Sequence, residues 1–259
     1  MTRAGYDAES LGRIDPQWRS WLDLRHRVGS TNDAAAELAR AGCSHGTTVA
    51  AHRQSTGRGR RGEPWVCPPG GGLAFSVVLK PGSGTPVWSR AAMVAGLAVA
   101  CELERLGLDA RVKWPNDVLV GGRKICGVLV EATPEFAVVG IGVNVNVVEF
   151  PTDLKSIATS VQIELARPAA REPLLVGIRN GLLHWFEKTT TRFPEVLETL
   201  GKRCALRGKP ITARTSAGTL SGIVRGFGPA GELLIESNGT VQRLVQADEI
   251  RVSNLNSEV

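Results

Sequence analysis

The two residues best suited to chemistry in this sequence are an aspartate and a lysine seven positions apart, Asp117 and Lys124. They flank residues 121–122, a Gly-Gly pair typical of a two-residue β-hairpin turn. Such a turn places Leu119 opposite Lys124 and Asp117 opposite Cys126, with all four side chains on one face. Asp117 and Lys124 then lie diagonally, about 7–8 Å apart at the backbone. At that separation an acid and an amine can form an ion pair or bind a small ligand.

The elements around this pair are extended. Val118, Val120 and Ile125 alternate onto the opposite, apolar face of the hairpin, which we expect to be buried. Pro115 fixes its own φ and favours an extended Trp114, so the lead-in to the hairpin is not helical. A surface hairpin with a solvated ion pair, which contributes little to stability, is the alternative interpretation. The hairpin by itself does not decide between a ligand-binding site and a solvated surface pair.

A second candidate site is the sequence Gly-Arg-Gly-Arg-Arg-Gly at residues 57–62, followed by Trp65. It connects strands predicted at residues 47–54 and 73–79. Glycines let a backbone wrap closely around a ligand, and arginines donate paired hydrogen bonds to phosphate or carboxylate. The spacing is not that of a P-loop, and residues 140–142 lack the third glycine and following helix of a dinucleotide-binding fingerprint. The loop therefore predicts a binding site for a small anionic ligand.

Composition sets limits on the class of protein. The 259 residues are 42% hydrophobic, enough for a core, and no apolar run is long enough to cross a membrane. The first residues contain no apolar signal-peptide core, so we expect a cytoplasmic protein with no membrane partner. The five cysteines and four histidines show no metal-binding spacing. The net charge of +6 suits nucleic acid, a polyphosphate or an acidic protein partner.

Further patterns predict the elements around these motifs. Ser30 and Asp33 match a capping box before an alanine-rich helix, and taken alone this motif is better explained as a helix cap than as a binding site. A helix over residues 85–106, opened by Thr85-Pro86, is apolar nearly all round and therefore predicted to be buried. Further predicted elements are a strand over residues 136–146, a helix from Arg171, a linker at 201–208 and five short strands within 211–252.

Taken together, the motifs resemble those of biotin protein ligases. The motifs that carry the resemblance are Ser30-Thr31-Asn32, the loop at 57–62 with Trp65, Lys-Trp-Pro-Asn-Asp at 113–117, Arg-Lys-Ile-Cys-Gly at 123–127 and Gly-Val-Asn-Val at 142–145. They stand in that family's order and approximate spacing. The resemblance implies an α+β fold in which a mixed sheet with flanking helices, like that of class II aminoacyl-tRNA synthetases, forms a catalytic biotin- and ATP-binding domain at residues 1–200. A small SH3-like β-barrel would follow at 208–255.

The resemblance also implies an activity. Biotin and MgATP would give biotinyl-adenylate and pyrophosphate. A lysine of a biotin carboxyl carrier domain, from an acyl-CoA or pyruvate carboxylase, would then take the biotin as an amide and release AMP. Only 29 residues precede Ser30, too few for the helix-turn-helix module that some members carry at their N-terminus. We therefore expect a short-form ligase that does not bind DNA.

Position in the family's motifs assigns residues to these steps. The implied biotin site consists of Ser30, Thr31, Asn32, Gln54, Arg58, Lys124 and Gly127. The implied ATP or adenylate site consists of Arg60, Arg61, Trp65, Asn116 and Asn144. The implied catalytic residues are Lys124, Asp117 and Arg60. Lys124 would stabilise negative charge near the biotin carboxylate and the α-phosphate. Asp117 would bind Mg²⁺ and orient or deprotonate the incoming lysine, whereas Cys126 is better explained as a small buried thiol.

Two other functions compete with this one. A lipoate-type ligase would share the fold and the adenylate chemistry, but not the pair of motifs at 57–62 and 113–117. A basic nucleic-acid-binding protein would use the arginine loop and the barrel, yet Phe227 is the only aromatic residue in the predicted barrel strands. The sequence also departs from the family at Glu63-Pro64, where we expect a basic or neutral residue.

Overall fold

The computed structural model describes residues 6–66, 68–81 and 88–253. Within these residues, the first sheet consists of β1 (Leu22–Val28), β2 (Thr48–Gln54), β3 (Gly72–Leu79), β4 (Ala110–Lys113), β5 (Asp117–Val120), β6 (Arg123–Ala132) and β7 (Ala137–Asn144). Their order is β1-β2-β3-β7-β6-β5-β4. Strands β1 and β2 are parallel and the other neighbours are antiparallel. The mixed sheet is therefore confirmed.

Helices cover both faces of this sheet. Those in the described part of the chain are α1 (Ala8–Ile14), α2 (Thr31–Arg40), α3 (Ala91–Arg105), α4 (Val161–Leu165), α5 (Arg171–Thr191) and α6 (Phe193–Gly201). Helices α3 and α5 pack together on one face, and α2 packs on the other against β2, β3 and β7. None of the helices in the described residues is long and apolar enough to span a bilayer.

The strands bury side chains in both layers because successive residues point to opposite faces. In β2, Val49 packs with Ala35 of α2, whereas Ala50 belongs to the larger core under α3 and α5. In β3, Val78 lies on the α2 side and Val77 on the other. Both faces of the central strands are therefore apolar, and the sheet is the rigid element on which the site is built.

Helix α3 has the buried, nearly all-apolar character predicted from the sequence. It ends at Arg105, and Gly107 follows with a φ of +89°, a left-handed conformation that glycine adopts without strain. The predicted start at Thr85-Pro86 lies outside the described residues. The helix predicted from Arg171 is confirmed as α5.

The β5–β6 hairpin pairs Val120 with Arg123 and Leu119 with Lys124, as predicted for a two-residue turn. A β-bulge then shifts the register, so that Asp117 lies opposite Gly127. The prediction that Cys126 faces Asp117 and shares the face of Lys124 is therefore wrong. One extra residue in β6 places Cys126 in the core, where it is fully buried.

A second, antiparallel sheet follows α6. It consists of β8 (Pro210–Thr215), β9 (Gly218–Phe227), β10 (Leu233–Ser237), β11 (Thr240–Leu244) and β12 (Glu249–Val252), in the order β11-β10-β9-β8-β12. This C-terminal sheet lies where the sequence predicts a small β unit, and with the first sheet it confirms the α+β class. The segment before it pairs with β4, since the Val112 N–H donates to the Arg203 carbonyl and the Ala205 N–H to the Val112 carbonyl. The domain boundaries themselves remain a prediction.

Candidate active site

A cavity of about 570 Å³ opens between the first sheet, the arginine loop (residues 57–62) and the C-terminal sheet. Strands β6 and β7 form its floor, and the start of α2 and the arginine loop form its walls. Of the sequence-predicted site residues, those that line the cavity are Ser30, Thr31, Asn32, Gln54, Arg58, Arg60, Arg61, Trp65, Asn116, Asp117, Lys124 and Gly127. Residues far apart in the sequence thus meet in one concave site.

Glycines form the floor of the cavity. A Cβ added at Gly142 would lie 2.3 Å from Cε2 of Trp65, and one added at Gly140 would lie 2.2 Å from Oδ1 of Asn32. Gly142 pairs with Gly127 on β6, where an added Cβ would also approach the Trp65 ring, at 3.3 Å. The indole therefore rests directly on the sheet. Gly140 and Gly142 are site residues that the sequence analysis missed, and their signal was glycine in the interior of a buried strand.

A buried polar network forms one wall. The Ser30 hydroxyl caps α2 by accepting from the Asn32 N–H at 3.2 Å, so the predicted cap is confirmed. Oε1 of Gln54 accepts from the Thr31 N–H at 2.7 Å and from its hydroxyl at 3.0 Å. The Ser76 hydroxyl of β3 lies 2.8 Å from Oγ1 of Thr31 and 2.7 Å from Oδ1 of Asn32. Ser76 was not predicted. The network fixes its amide and hydroxyl groups before any ligand arrives.

Lys124 and Asp117 meet at the other end of the floor. Nζ of Lys124 lies 2.8 Å from Oδ1 of Asp117, and the side chains are 38% and 22% exposed. The prediction that the hairpin brings them together is confirmed. The bulge leaves Gly127 opposite Asp117, and the absence of a side chain there makes room for the lysine, whose Nζ would lie 3.3 Å from an added Cβ. The pair is half-open to the cavity, so a ligand can replace either partner.

Asn144, the remaining predicted site residue, lies outside the cavity. It is buried at the end of β7 and does not line the cavity; its side-chain amide donates to the Thr159 carbonyl at 3.1 Å. The Thr159 N–H donates to the Lys124 carbonyl, and the Lys124 N–H to the Ile157 carbonyl. Asn144 thus braces the segment that pairs with the backbone of Lys124.

The arginines of the loop have different partners. Arg60 donates to Oδ1 of Asn116 at 3.0 Å and to the Ala247 carbonyl, in the connection between β11 and β12, at 2.9 Å. Arg61 forms an ion pair with Asp248. The C-terminal sheet also contributes to the cavity rim, through Arg214, Asp248, Glu249 and Arg251. These rim residues follow the loop by more than 150 positions, and no local pattern in the sequence joins them to it.

The loop folds back on itself despite the unexpected Glu63-Pro64. The Gly59 N–H donates to the Glu63 carbonyl at 2.6 Å, and the Trp65 N–H to the Gly57 carbonyl at 2.9 Å. These hydrogen bonds close a turn at residues 60–62 and place the Trp65 ring on the floor of the cavity. Its Nε1 is buried and has no hydrogen-bond partner among the described residues, which leaves an unused donor beside the cavity.

Cys126 takes no part in this chemistry. Burial raises the pKa of its thiol, so the sulfur stays protonated, and the thiolate is the nucleophilic form. The structure supports the interpretation of Cys126 as a small apolar core residue.

Comparison with known proteins identifies the class to which this fold and cavity belong. The model of the Biotin/lipoate A/B protein ligase family matches residues 24–147. A bifunctional ligase/repressor BirA from Bacillus subtilis is 33% identical over 234 residues, which cover 85% of this chain and 71% of the relative. A biotin–[acetyl-CoA-carboxylase] ligase from Paracoccus denitrificans is 33% identical over 81% of this chain and 91% of its own length.

The structural comparison agrees. A biotin protein ligase from Aquifex aeolicus, solved in complex with biotin and ATP, superposes with a TM-score of 0.81 at 28% identity, covering 90% of this chain and 99% of the other. This chain therefore belongs to the biotin protein ligase family and is an ATP-dependent ligase.

Proposed function

We propose that this chain works in the cytoplasm as a two-step biotin ligase. It forms biotinyl-adenylate and pyrophosphate from biotin and ATP, then transfers the biotin to a lysine of a biotin carboxyl carrier domain of an acyl-CoA or pyruvate carboxylase. The observation that carries the proposal is the position of Lys124, whose ammonium group lies in the cavity with Asp117, facing an arginine-bearing loop. Relatives named for ligating biotin to acetyl-CoA carboxylase support the acceptor class.

The α2 end of the cavity suits the biotin ring system. Ser30, Thr31, Asn32 and Gln54 supply fixed hydroxyl and amide groups for a cyclic urea, which both donates and accepts hydrogen bonds. Apolar side-chain surface for the remaining ring and the pentanoate chain comes from Ala74 and Leu129, which share the sheet face of Gly142 and Gly140. In this orientation the carboxylate of biotin points toward Lys124.

The other end suits the nucleotide. Arg60 and Arg61 provide guanidinium groups for phosphate oxygens, and Asn116 adds an amide. Trp65 provides a flat apolar surface for the purine. Asn144 contributes indirectly, because it braces the segment that pairs with Lys124. As phosphate binds, the ion pair of Arg61 with Asp248 and the hydrogen bonds from Arg60 to Asn116 and the Ala247 carbonyl must loosen, so nucleotide and protein acceptors compete for both guanidinium groups.

Magnesium would enter with the nucleotide. In the described residues, no group of three or more His, Cys, Asp or Glu side chains could hold a metal alone. Mg²⁺ is often bound through one or two carboxylates together with substrate phosphates, and a single carboxylate such as Asp117 fits that pattern. The bound ion would neutralise phosphate charge during the first step.

The chain's own residues then account for both steps. In the first, a carboxylate oxygen of biotin attacks the α-phosphorus, the bond to pyrophosphate breaks, and Lys124 stabilises the developing negative charge. In the second, the acceptor amine gives a proton to Asp117 and attacks the biotinyl carbonyl, and AMP leaves. Lys124 faces the reacting atoms in both steps.

The nucleic-acid alternative is weakened by charge pairing. Arg58 binds Asp33 and Glu131, and Arg61 binds Asp248. Arg58 is thus held by two protein carboxylates, which leaves Arg60 and Arg61 in the cavity, fewer charges than a contact along a phosphate backbone uses.

Transfer to a carrier domain tests the proposal. We expect a purified biotin carboxyl carrier domain, incubated with this protein, biotin and MgATP, to gain the mass of one biotinyl group. A carrier whose acceptor lysine is replaced by arginine is the control and should gain none. An unmodified carrier, or equal labelling of the control, would count against the second step.

A further inference from the structure

Arg58 makes contacts unlike those expected of a ligand-binding residue. Its Nη1 lies 2.9 Å from Oδ2 of Asp33, and its Nη2 lies 2.6 Å from Oδ1 of the same carboxylate. Nη2 also lies 3.0 Å and 3.1 Å from the two carboxylate oxygens of Glu131. These contacts make a two-pronged ion pair with the first turn of α2 and a second ion pair with β6. The guanidinium group is therefore occupied before any substrate arrives.

One of these carboxylates, Glu131, also connects Arg58 to the polar wall of the cavity. Oε2 of Glu131 accepts from Nδ2 of Asn32 at 2.7 Å. Asn32 is buried, with its Oδ1 beside Ser76 and above Gly140. A continuous chain of hydrogen bonds thus runs from the polar wall through Glu131 to the beginning of the arginine loop.

We propose that Arg58 is a positioning residue rather than a ligand for biotin. Together with Asp33 and Glu131 it forms the Arg58 cluster, which attaches the start of the arginine loop to α2 and β6 and thereby sets where Arg60 and Trp65 lie over the cavity. The proposal deepens the proposed function and rests on it for the activity measurements, but not for the proteolysis measurement.

Charge and burial support this role. The hydrogen bonds that Arg58 donates lower the pKa of Asp33, and the acceptance of these bonds by Asp33 and Glu131 raises the pKa of Arg58, so Asp33 and Arg58 both stay ionised at neutral pH. The three side chains are between a third and just over half exposed, so no single ion pair is strong on its own. One guanidinium shared by two carboxylates forms a network, and losing either carboxylate loosens the whole attachment.

Neutral variants of Asp33 and Glu131 distinguish a positioning role of Arg58 from a biotin-binding role. Glu131→Gln and Asp33→Asn keep Arg58 but remove the negative charges of its partners, and with them the two ion pairs. If Arg58 is a positioning residue, both variants and Arg58→Ala should speed trypsin cleavage within residues 57–62 of the ligand-free protein several-fold, because Arg60 and Arg61 become accessible. If Arg58 instead binds the biotin carboxylate, freeing it should leave cleavage at the wild-type rate and keep or tighten biotin binding.

Arg105→Ala is the matched control, since it removes an arginine ion-paired with Glu102 on α3 and should leave cleavage unchanged. A second readout is ATP–pyrophosphate exchange, where the cluster variants should show a higher KM for both biotin and ATP. Wild-type cleavage rates, or faster cleavage with unchanged KM values, would overturn the positioning role. If the wild-type protein shows no exchange at all, the proposed function fails and the cleavage rates alone decide the role of the Arg58 cluster.

Discussion

Lys124→Ala should lower biotin-dependent ATP–pyrophosphate exchange by at least about 100-fold, the loss typical when a fixed charge-stabilising group is removed from an active site. The ammonium group stands in the cavity beside Asp117, where the carboxylate and α-phosphate of the reactants bring negative charge together. The variant should fold normally, because the lysine side chain is 38% exposed and its loss opens no core cavity. Initial rates of exchange at saturating biotin and ATP measure the effect.

Two further variants make this result specific. Lys124→Arg keeps the positive charge in a different shape and should retain more activity than the alanine variant. Lys202→Ala removes an exposed lysine that pairs with Glu198 on α6, and it should exchange like the wild type. Wild-type exchange by Lys124→Ala would remove this residue from the mechanism.

The second large effect should come from the cavity floor. Gly142→Val places a branched side chain where even a Cβ would lie 2.3–2.6 Å from the Trp65 ring. The indole must leave the sheet, and the new side chain fills the space between floor and loop. We expect the fold to survive, since valine suits a strand, and exchange to fall about 100-fold, as displacements near 1 Å can cost that much. Gly142→Ala should show the same change to a smaller degree.

Tryptophan fluorescence and activity together measure this effect. Gly201→Ala is the control, because a Cβ at the end of α6 meets no atom within 4 Å. A Gly142→Val protein with unchanged emission and wild-type exchange would show that Trp65 does not need the floor position for activity.

The sequence predicted the fold well where its patterns were local. The strands of the C-terminal sheet, the buried helix α3 and the turn at residues 121–122 follow from glycine positions and apolar periodicity. The β-bulge in β6 did not, because both registers bury Ile125 and only packing of the complete sheet decides between them. Strand β1 was also missed, since its charged and half-buried residues lack a clear alternation.

The site divides in the same way. Hairpin geometry alone predicted that Lys124 and Asp117 lie together. Most other cavity residues were predicted from the resemblance of their motifs to those of biotin protein ligases. Ser76 was missed because β3 has no motif, and Glu131 was missed because it lies in β6 beyond the end of the motif at 123–127. The contact between Arg61 and Asp248 joins two charged residues 187 positions apart, and surface charges of this kind have no signature in one sequence.

Exchange of labelled pyrophosphate into ATP, run in parallel with biotin, lipoate and no acid, tests the ligase assignment most directly. The cavity described above predicts exchange with biotin and none in the other two reactions. Exchange with lipoate instead would keep the fold and the adenylate chemistry but contradict the substrate. Folded protein that gave no exchange with either acid in the presence of Mg²⁺ would contradict the proposed function itself.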